Sequence, residues 1–331
     1  MNQSSISPAN SGYGAFSTPV GIPLPAFEIT YHDRIFTLGS CFAENIGKKL
    51  QDDYFLSFIN PFGVLYNPFS VSNSIRYLVS DKLFGDDDLF HLGSLWNSFA
   101  HSSIFSATSS EETLQKINSR LIAARDFLSQ TKVLMITLGT AWIYEDSETG
   151  KVVANCHKLP SARFNRRRLN VGEIVGELSE VMLQLREQIP DLQVIFTVSP
   201  VRHWKDGARE NTVSKSTLHL AIDELVKKFS FTGYFPAFEI VMDELRDYRF
   251  YDTDMLHPSA QAVDYIWQRF SDLYFSENTR KLKKELEQLR ADLNHRPLHA
   301  DTIEYQQFIS SVEKKKNGLI ENNPFLKDRF E

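Results

Sequence analysis

Cysteine is scarce in this 331-residue sequence: only Cys41 and Cys156 occur, with no CxxC pair. A disulfide-stapled extracellular scaffold is therefore excluded. Cys41, Cys156 and His157 lack any recognised ligand spacing, so neither a metal site nor a cofactor is implied. Long apolar runs are missing as well; no window reaches the ~18–20 apolar residues of a membrane span. The first 25 residues lack the charged start, apolar stretch and small-residue cleavage site of a secretory signal. The expected location is thus the cytoplasm, with no membrane partner. Positive charge is not in excess: 36 Lys and Arg face 42 Asp and Glu, for a formal charge of −6. No long tract is basic enough for sequence-independent binding, which argues against a nucleic-acid partner.

What is present is apolar material, 42% of the residues, with 12% aromatic, enough for one large core or a main domain with an appendage. Residues 1–30 are rich in Ser, Pro and Gly and read as an extended lead-in. Four apolar runs bounded by turn residues follow: "RIFTLGS" (34–40), "KVLMITLGT" (132–140), "LQVIFTVSP" (192–200) and "YFPAFEIV" (234–241). They read as buried strands of a parallel sheet covered on both faces. Helical spacing fills the gaps, in "FAENIGKKLQDDY", "TLQKINSRLIAARDFLSQ", "NVGEIVGELSEVMLQLREQI" and "SKSTLHLAIDELVKKFS". The alternation predicts an α/β protein, a three-layer α/β/α sandwich with a doubly wound parallel sheet over residues 31–275. Residues 276–331, charged and helical in period, read as a helical C-terminal appendage. In such sheets ligands sit beyond the carboxyl ends of the strands, which puts "GSC", "GTAW" and "SPVRHW" on one rim.

Two stretches carry candidate chemistry. Cys41 follows Gly39 and Ser40 at a strand end and precedes a helix, whose free N–H groups lower a thiol's pKa and stabilise an oxyanion. The competing reading is a small buried filler. The second stretch, "RFYDTDMLHPSAQAVDYIW" (249–267), holds Asp254 and His257. A carboxylate three positions before an imidazole can bond Nδ1 and leave Nε2 for a nucleophile, the orienting role in a triad. Asp252 is the alternative acid. Elsewhere His157, Lys158 and the arginines 163 and 166–168 offer a local basic region for an anionic group, or else a solvated face balanced by acids. His157 and His203 follow predicted strands or their loops, and Trp142 stands with Phe62, Tyr66 and Trp204 beside the rim, placed to stack on a sugar or simply to fill the core.

Together the two stretches resemble the SGNH, or GDSL-like, hydrolase superfamily, whose sheet is flavodoxin-like. "LGSCFAENIG" is similar to the name-giving motif of the GSCFA-domain family, an SGNH-like group described mainly in bacteria. The likeness takes in "INPFGVLYNP", "ITLGTAWIY", "NCHKLP" and "TVSPVRHW", over residues 18–275. It implies an esterase in which Cys41 is the nucleophile, with Ser40 as the alternative one residue back, and His257 and Asp254 complete the triad. The oxyanion would be held by Cys41 N–H and Gly63 N–H. Where the superfamily has an asparagine, "GTAW" has none, leaving Thr140 or Asn60 as substitute donors. The implied substrate is an acyl ester, such as an acetyl ester, of a small molecule or carbohydrate, cleaved through a thioester. The rivals are an O-acyltransferase to a sugar hydroxyl and a degenerate hydrolase that binds carbohydrate or protein.

Overall fold

A computed structural model of the chain describes residues 5–6, 18–299 and 301–330. Of the expected lead-in, residues 1–4 and 7–17 lie outside the described residues. Five strands form the central sheet: β1 (Arg34–Gly39), β2 (Leu56–Ile59), β3 (Val133–Leu138), β4 (Gln193–Val198) and β5 (Thr232–Tyr234). All four pairings are parallel, and the spatial order is 2-1-3-4-5, the flavodoxin-like winding.

The strands are buried on both faces because their apolar residues are nearly continuous. Alternate side chains then serve two cores. Phe36, Leu38, Leu134, Ile136, Val194 and Phe196 point to one face. There they meet α2 (Pro68–Leu78), α3 (Ser110–Ser129), α4 (Val171–Gln188) and α5 (Gly207–Lys228). Ile35, Val133, Met135 and Ile195 point to the other face, covered by α1 (Cys41–Asp52), α6 (Ala260–Tyr274), α7 (Glu277–Leu293) and α8 (Ile303–Asn322). The chain leaves β1 along one face and reaches β3 along the other. The carboxyl ends of β1 and β3 therefore flank the crevice where the winding reverses, and Cys41 begins its helix there.

The run "YFPAFEIV" departs from expectation. Only its first residue, Tyr234, lies in a strand, and residues 237–244 are helical. Pro236 offers no N–H to a ladder, so pairing stops before it. The antiparallel strands Trp142–Asp146 and Phe164–Arg168 form a separate small sheet with Val152–Val153.

The C-terminal helices share the second core rather than building one of their own, through Leu286, Leu289, Val312 and Leu319. Asp53, 2% exposed, ties them on: it accepts from Trp267 Nε1 (2.8 Å) and Arg290 Nη1 (3.0 Å), with Lys283 Nζ at 3.3 Å. Removing the acid leaves a buried indole N–H without its acceptor, Arg290 with only Asp52 O and Lys283 with Glu287 alone. Asp53→Ala should lower unfolding free energy by about 3 kcal/mol in urea titration; a loss below about 0.5 kcal/mol would show that the cluster does not hold these helices. Among the described residues no helix is long and apolar enough to cross a membrane.

Candidate active site

The nucleophile turn is built by close backbone approach. Gly39 takes φ +134°, and a Cβ there would lie 2.1 Å from Thr137 O, so only glycine lets β1 run this tightly against β3 before turning. Ser40 N–H donates to Thr137 O (3.1 Å). Its side chain, 1% exposed, accepts from Phe42 N–H (3.3 Å) and caps α1. Cys41 is the first residue of the helix and only half-buried. Its own N–H and that of Phe42 both face the sulfur. The thiol does not follow the expected downward shift. Burial pushes it above its ordinary range and outweighs the lowering by Phe42 N–H and Lys215. Loss of water around a thiolate costs more than one helix turn returns, so Cys41 rests as a thiol and needs help to ionise.

The expected oxyanion donors fare differently from one another. Gly63 N–H closes a turn on Asn60 O (2.8 Å), and a Cβ at Gly63 would lie 1.9 Å from Ser102 Oγ. The structure gives this glycine a steric task in place of the expected donation. Thr140 is also engaged: its N–H donates to Tyr66 O (2.9 Å), and its hydroxyl pairs with Ser214 Oγ (3.0 Å) and accepts from Trp142 N–H (3.1 Å). Asn60 differs. Its Oδ1 accepts from Gly39 N–H (2.9 Å), bracing the nucleophile turn, while its buried Nδ2 has no partner among the described residues.

Asp254 and His257 meet as their spacing predicts. Asp254 Oδ2 lies 2.5 Å from His257 Nδ1, and Oδ1 accepts from the N–H groups of Leu256 and His257, both 2.9 Å. Those bonds to the charged form hold the Asp254 carboxyl down at about 2. Nδ1 is thereby the donor, and Nε2 has no partner among the described residues. Asp252 turns away: its carboxylate accepts from Thr253 N–H (2.7 Å) and its own N–H donates to His257 O. His257 lies near enough to His203 for its charge to act there. No hydrogen bond joins Cys41 Sγ to His257 among the described residues.

Of the expected ligand contacts, His203 stays on the rim. Its ring stands edge-on to Tyr66 with centroids 5.5 Å apart, and a Cβ on Gly139 would lie 3.4 Å from its Nε2. Burial, then Lys215, bring His203 down to about 4, so it is neutral near pH 7. His157 instead is spent inside: Nε2 bonds Ser98 O (2.8 Å) and Nδ1 Ser103 Oγ (3.3 Å). No ring nitrogen is left for a ligand. Lys158 is exposed beside it. Trp142 lies under Arg166, 4.1 Å from guanidinium to ring. The arginines read as a balanced face: Arg166 pairs with Asp206, Arg167 with Glu145 and Glu173, Arg168 with Glu210. Phe62 is core, at 1% exposure.

Lys215 went unremarked in the sequence, though a signal was there. Asn211, Ser214 and Lys215 continue the inward stripe of Leu218, Ile222 and Leu225 on α5, and all six are buried. Polar residues at core spacing mark a site or an internal network. A cavity of about 1000 Å³ opens elsewhere, between α2 and the strands near residues 89–99 and 146–154; neither Cys41 nor His257 lines it. A smaller depression of about 370 Å³ includes Glu44, on the helix of Cys41, with Asn60 and Arg120. Among the described residues no group of three His, Cys, Asp or Glu side chains is arranged to hold a metal ion.

Comparison with known proteins adds a family. The model of the GSCFA family matches residues 34–270, and that of the GSCFA domain protein, C-terminal domain, matches residues 269–331. No curated protein matches the chain. Among solved structures, an acetyl xylan esterase from the rumen bacterium Butyrivibrio proteoclasticus is similar at 14% identity and a TM-score of 0.35, over 76% of this chain. The chain spans 64% of the length of that esterase.

Proposed function

The chain belongs to the GSCFA family, and from that premise we propose that it is an SGNH-like esterase acting through Cys41, His257 and Asp254. The observation that carries this reading is the oriented imidazole: Asp254 fixes the Nδ1 proton and leaves Nε2 open. A half-buried thiol at a helix start on the sheet's ligand-binding rim supplies the second part. His257 Nε2 takes the Sγ proton as Cys41 attacks the ester carbonyl. The oxyanion is held by Cys41 N–H, at the start of α1, and by Asn60 Nδ2, which has no acceptor among the described residues. Collapse expels the alcohol, which takes its proton from His257 and leaves a thioester. Water, deprotonated by the same imidazole, then releases the acid and the thiol. Ser40 supports this register, since its hydroxyl is buried and occupied as a cap. Trp142 and His203 are the proposed substrate contacts, and an acyl ester on a carbohydrate is the proposed class. Hydrolysis of an activated acetyl ester, followed with and without an added sugar, tests the reading; product carried on the sugar would instead make the protein an acyltransferase.

A further inference from the structure

The cavity of about 1000 Å³ has no part in the mechanism above. It lies where α2 and α4 face two sets of antiparallel strands outside the central sheet. One is the hairpin Leu89–Leu92 with Leu95–Ser98, the other the small sheet that includes Trp142–Asp146 and Val152–Val153. Ala154 N–H donates to Phe99 O (2.8 Å) and ties the two sets together. Protein interiors leave few voids larger than a water molecule, and small-molecule sites run from about 300 to about 1,000 Å³. Aromatic rings line this space in braced pairs: Tyr77 is stacked on Phe84 and Phe90 on Phe99, each with centroids 4.2 Å apart. Such walls are set before a ligand arrives.

Two buried donors in the lining, Ser70 Oγ and Arg163 Nε, have no partner among the described residues. Ser70 lies on α2 and is 4% exposed. A helical serine ordinarily returns its hydroxyl to a carbonyl three or four residues back, and Ser74, one turn on, does so to Val71 O (2.7 Å). For Ser70 those carbonyls are taken. Tyr66 O accepts from Gly139 N–H (2.8 Å) and Thr140 N–H (2.9 Å), and Asn67 O accepts from Val71 N–H (3.2 Å). A buried hydroxyl left unpaired is costly. The charges in the lining are matched: Arg76 pairs with Glu177 and Glu180, and Arg163 Nη2 with Asp146 (3.2 Å) and Glu148 (3.1 Å). Lys82, Lys151, Asp87 and Asp88 are exposed and of both signs. An anion would meet the two acids that share Arg163, and a cation would meet two donors; an uncharged acceptor suits both.

We infer that this cavity is a binding site, separate from Cys41 and His257, for an uncharged and mainly apolar carbonyl compound. The ligand is a ketone, ester or amide whose body lies against the aromatic walls and whose oxygen accepts from Ser70 Oγ, with Arg163 Nε as the second donor. The carbonyl supplies the acceptor that both donors lack, and the apolar body displaces water from the rings. The inference does not depend on the esterase reading, because no residue of the proposed triad lines the cavity.

The test is fluorescence titration of the full chain with Nile red, an uncharged dye with a flat apolar body and one ring carbonyl. Binding should saturate at one dye per chain. Ser70→Ala should weaken it about three- to tenfold and melt no lower than the wild type, since the hydroxyl holds nothing in the folded chain. Ala100→Trp, which fills the space from its lining, should abolish saturable binding. In Cys41→Ala, where no ester is turned over, the dye should bind as in the wild type, and methyl octanoate should displace it at lower concentration than octanoate. Absence of saturable binding overturns the inference, as does an unaltered affinity or a lowered melting temperature in Ser70→Ala. Binding that survives Ala100→Trp places the dye elsewhere and overturns it too; should that variant fail to fold, Ser70→Ala decides. Octanoate competing better than its methyl ester overturns the uncharged ligand. None of these readouts involves turnover, so failure of the esterase reading alone would leave the site intact.

Discussion

Replacing Cys41 with alanine should lower hydrolysis of an activated acetyl ester by at least ~1,000-fold, because no second nucleophile stands in its place. The neighbouring hydroxyl is the control. Ser40 is 1% exposed and its Oγ accepts from Phe42 N–H, so Ser40→Ala removes a helix cap, at about 1 kcal/mol of stability. Its turnover should fall less than ~10-fold, because no step of the mechanism passes through that oxygen. Steady-state rates of the two variants, beside their urea midpoints, separate a chemical role from a structural one. If Ser40→Ala loses turnover at unchanged stability and Cys41→Ala does not, the nucleophile is one residue earlier and the cap is incidental.

The second large effect belongs to the Asp254 and His257 pair. His257→Ala should lower the rate by ~100- to 10,000-fold, and Asp254→Asn should fall in the same range by losing the acceptor that fixes the imidazole tautomer. The pH dependence follows from the depressed Asp254 carboxyl. A carboxyl held at about 2 in the folded chain, against an ordinary 3.8, favours the folded state above the ordinary value. That contribution is lost as pH falls through about 2. Asp254 is thus charged throughout the working range, and the wild-type rate profile should show no inflection from it above about pH 4. A mid-acid inflection that vanishes only in Asp254→Asn would contradict the 2.5 Å geometry at His257 Nδ1.

Much of this was legible in the sequence where the signal was local and apolar. β1, β3 and β4 are runs whose every other side chain feeds one of two cores, so their character survives without knowledge of the partner strands. β2, "LSFI", is four half-exposed residues and gave no such signal. α2 was hidden by its composition: Ser70, Ser72 and Ser74 look like loop residues, yet all three are buried. In the candidate site, Asp254 and His257 share one loop, and three residues of spacing suffice to predict their bond. Lys215 could not be found that way, because its acceptor, Ser199 O, lies 16 residues away, just past β4. The same limit applied to His157: whether its ring nitrogen is free depends on Ser98 O, 59 residues away, and no motif records that acceptor. The thiol's upward shift is likewise a property of packing; the helix start was visible, the burial that outweighs it was not.

The most direct test of the central claim is to trap the acyl-enzyme. Acid quenching during turnover of an activated acetyl ester, followed by peptide mass spectrometry, should find one acyl group on the peptide that contains residues 40 and 41. Fragmentation should place it on Cys41, and neutral hydroxylamine should remove it as it does a thioester. Acylation at Ser40, or full turnover by Cys41→Ala with no acylated peptide, would contradict the account.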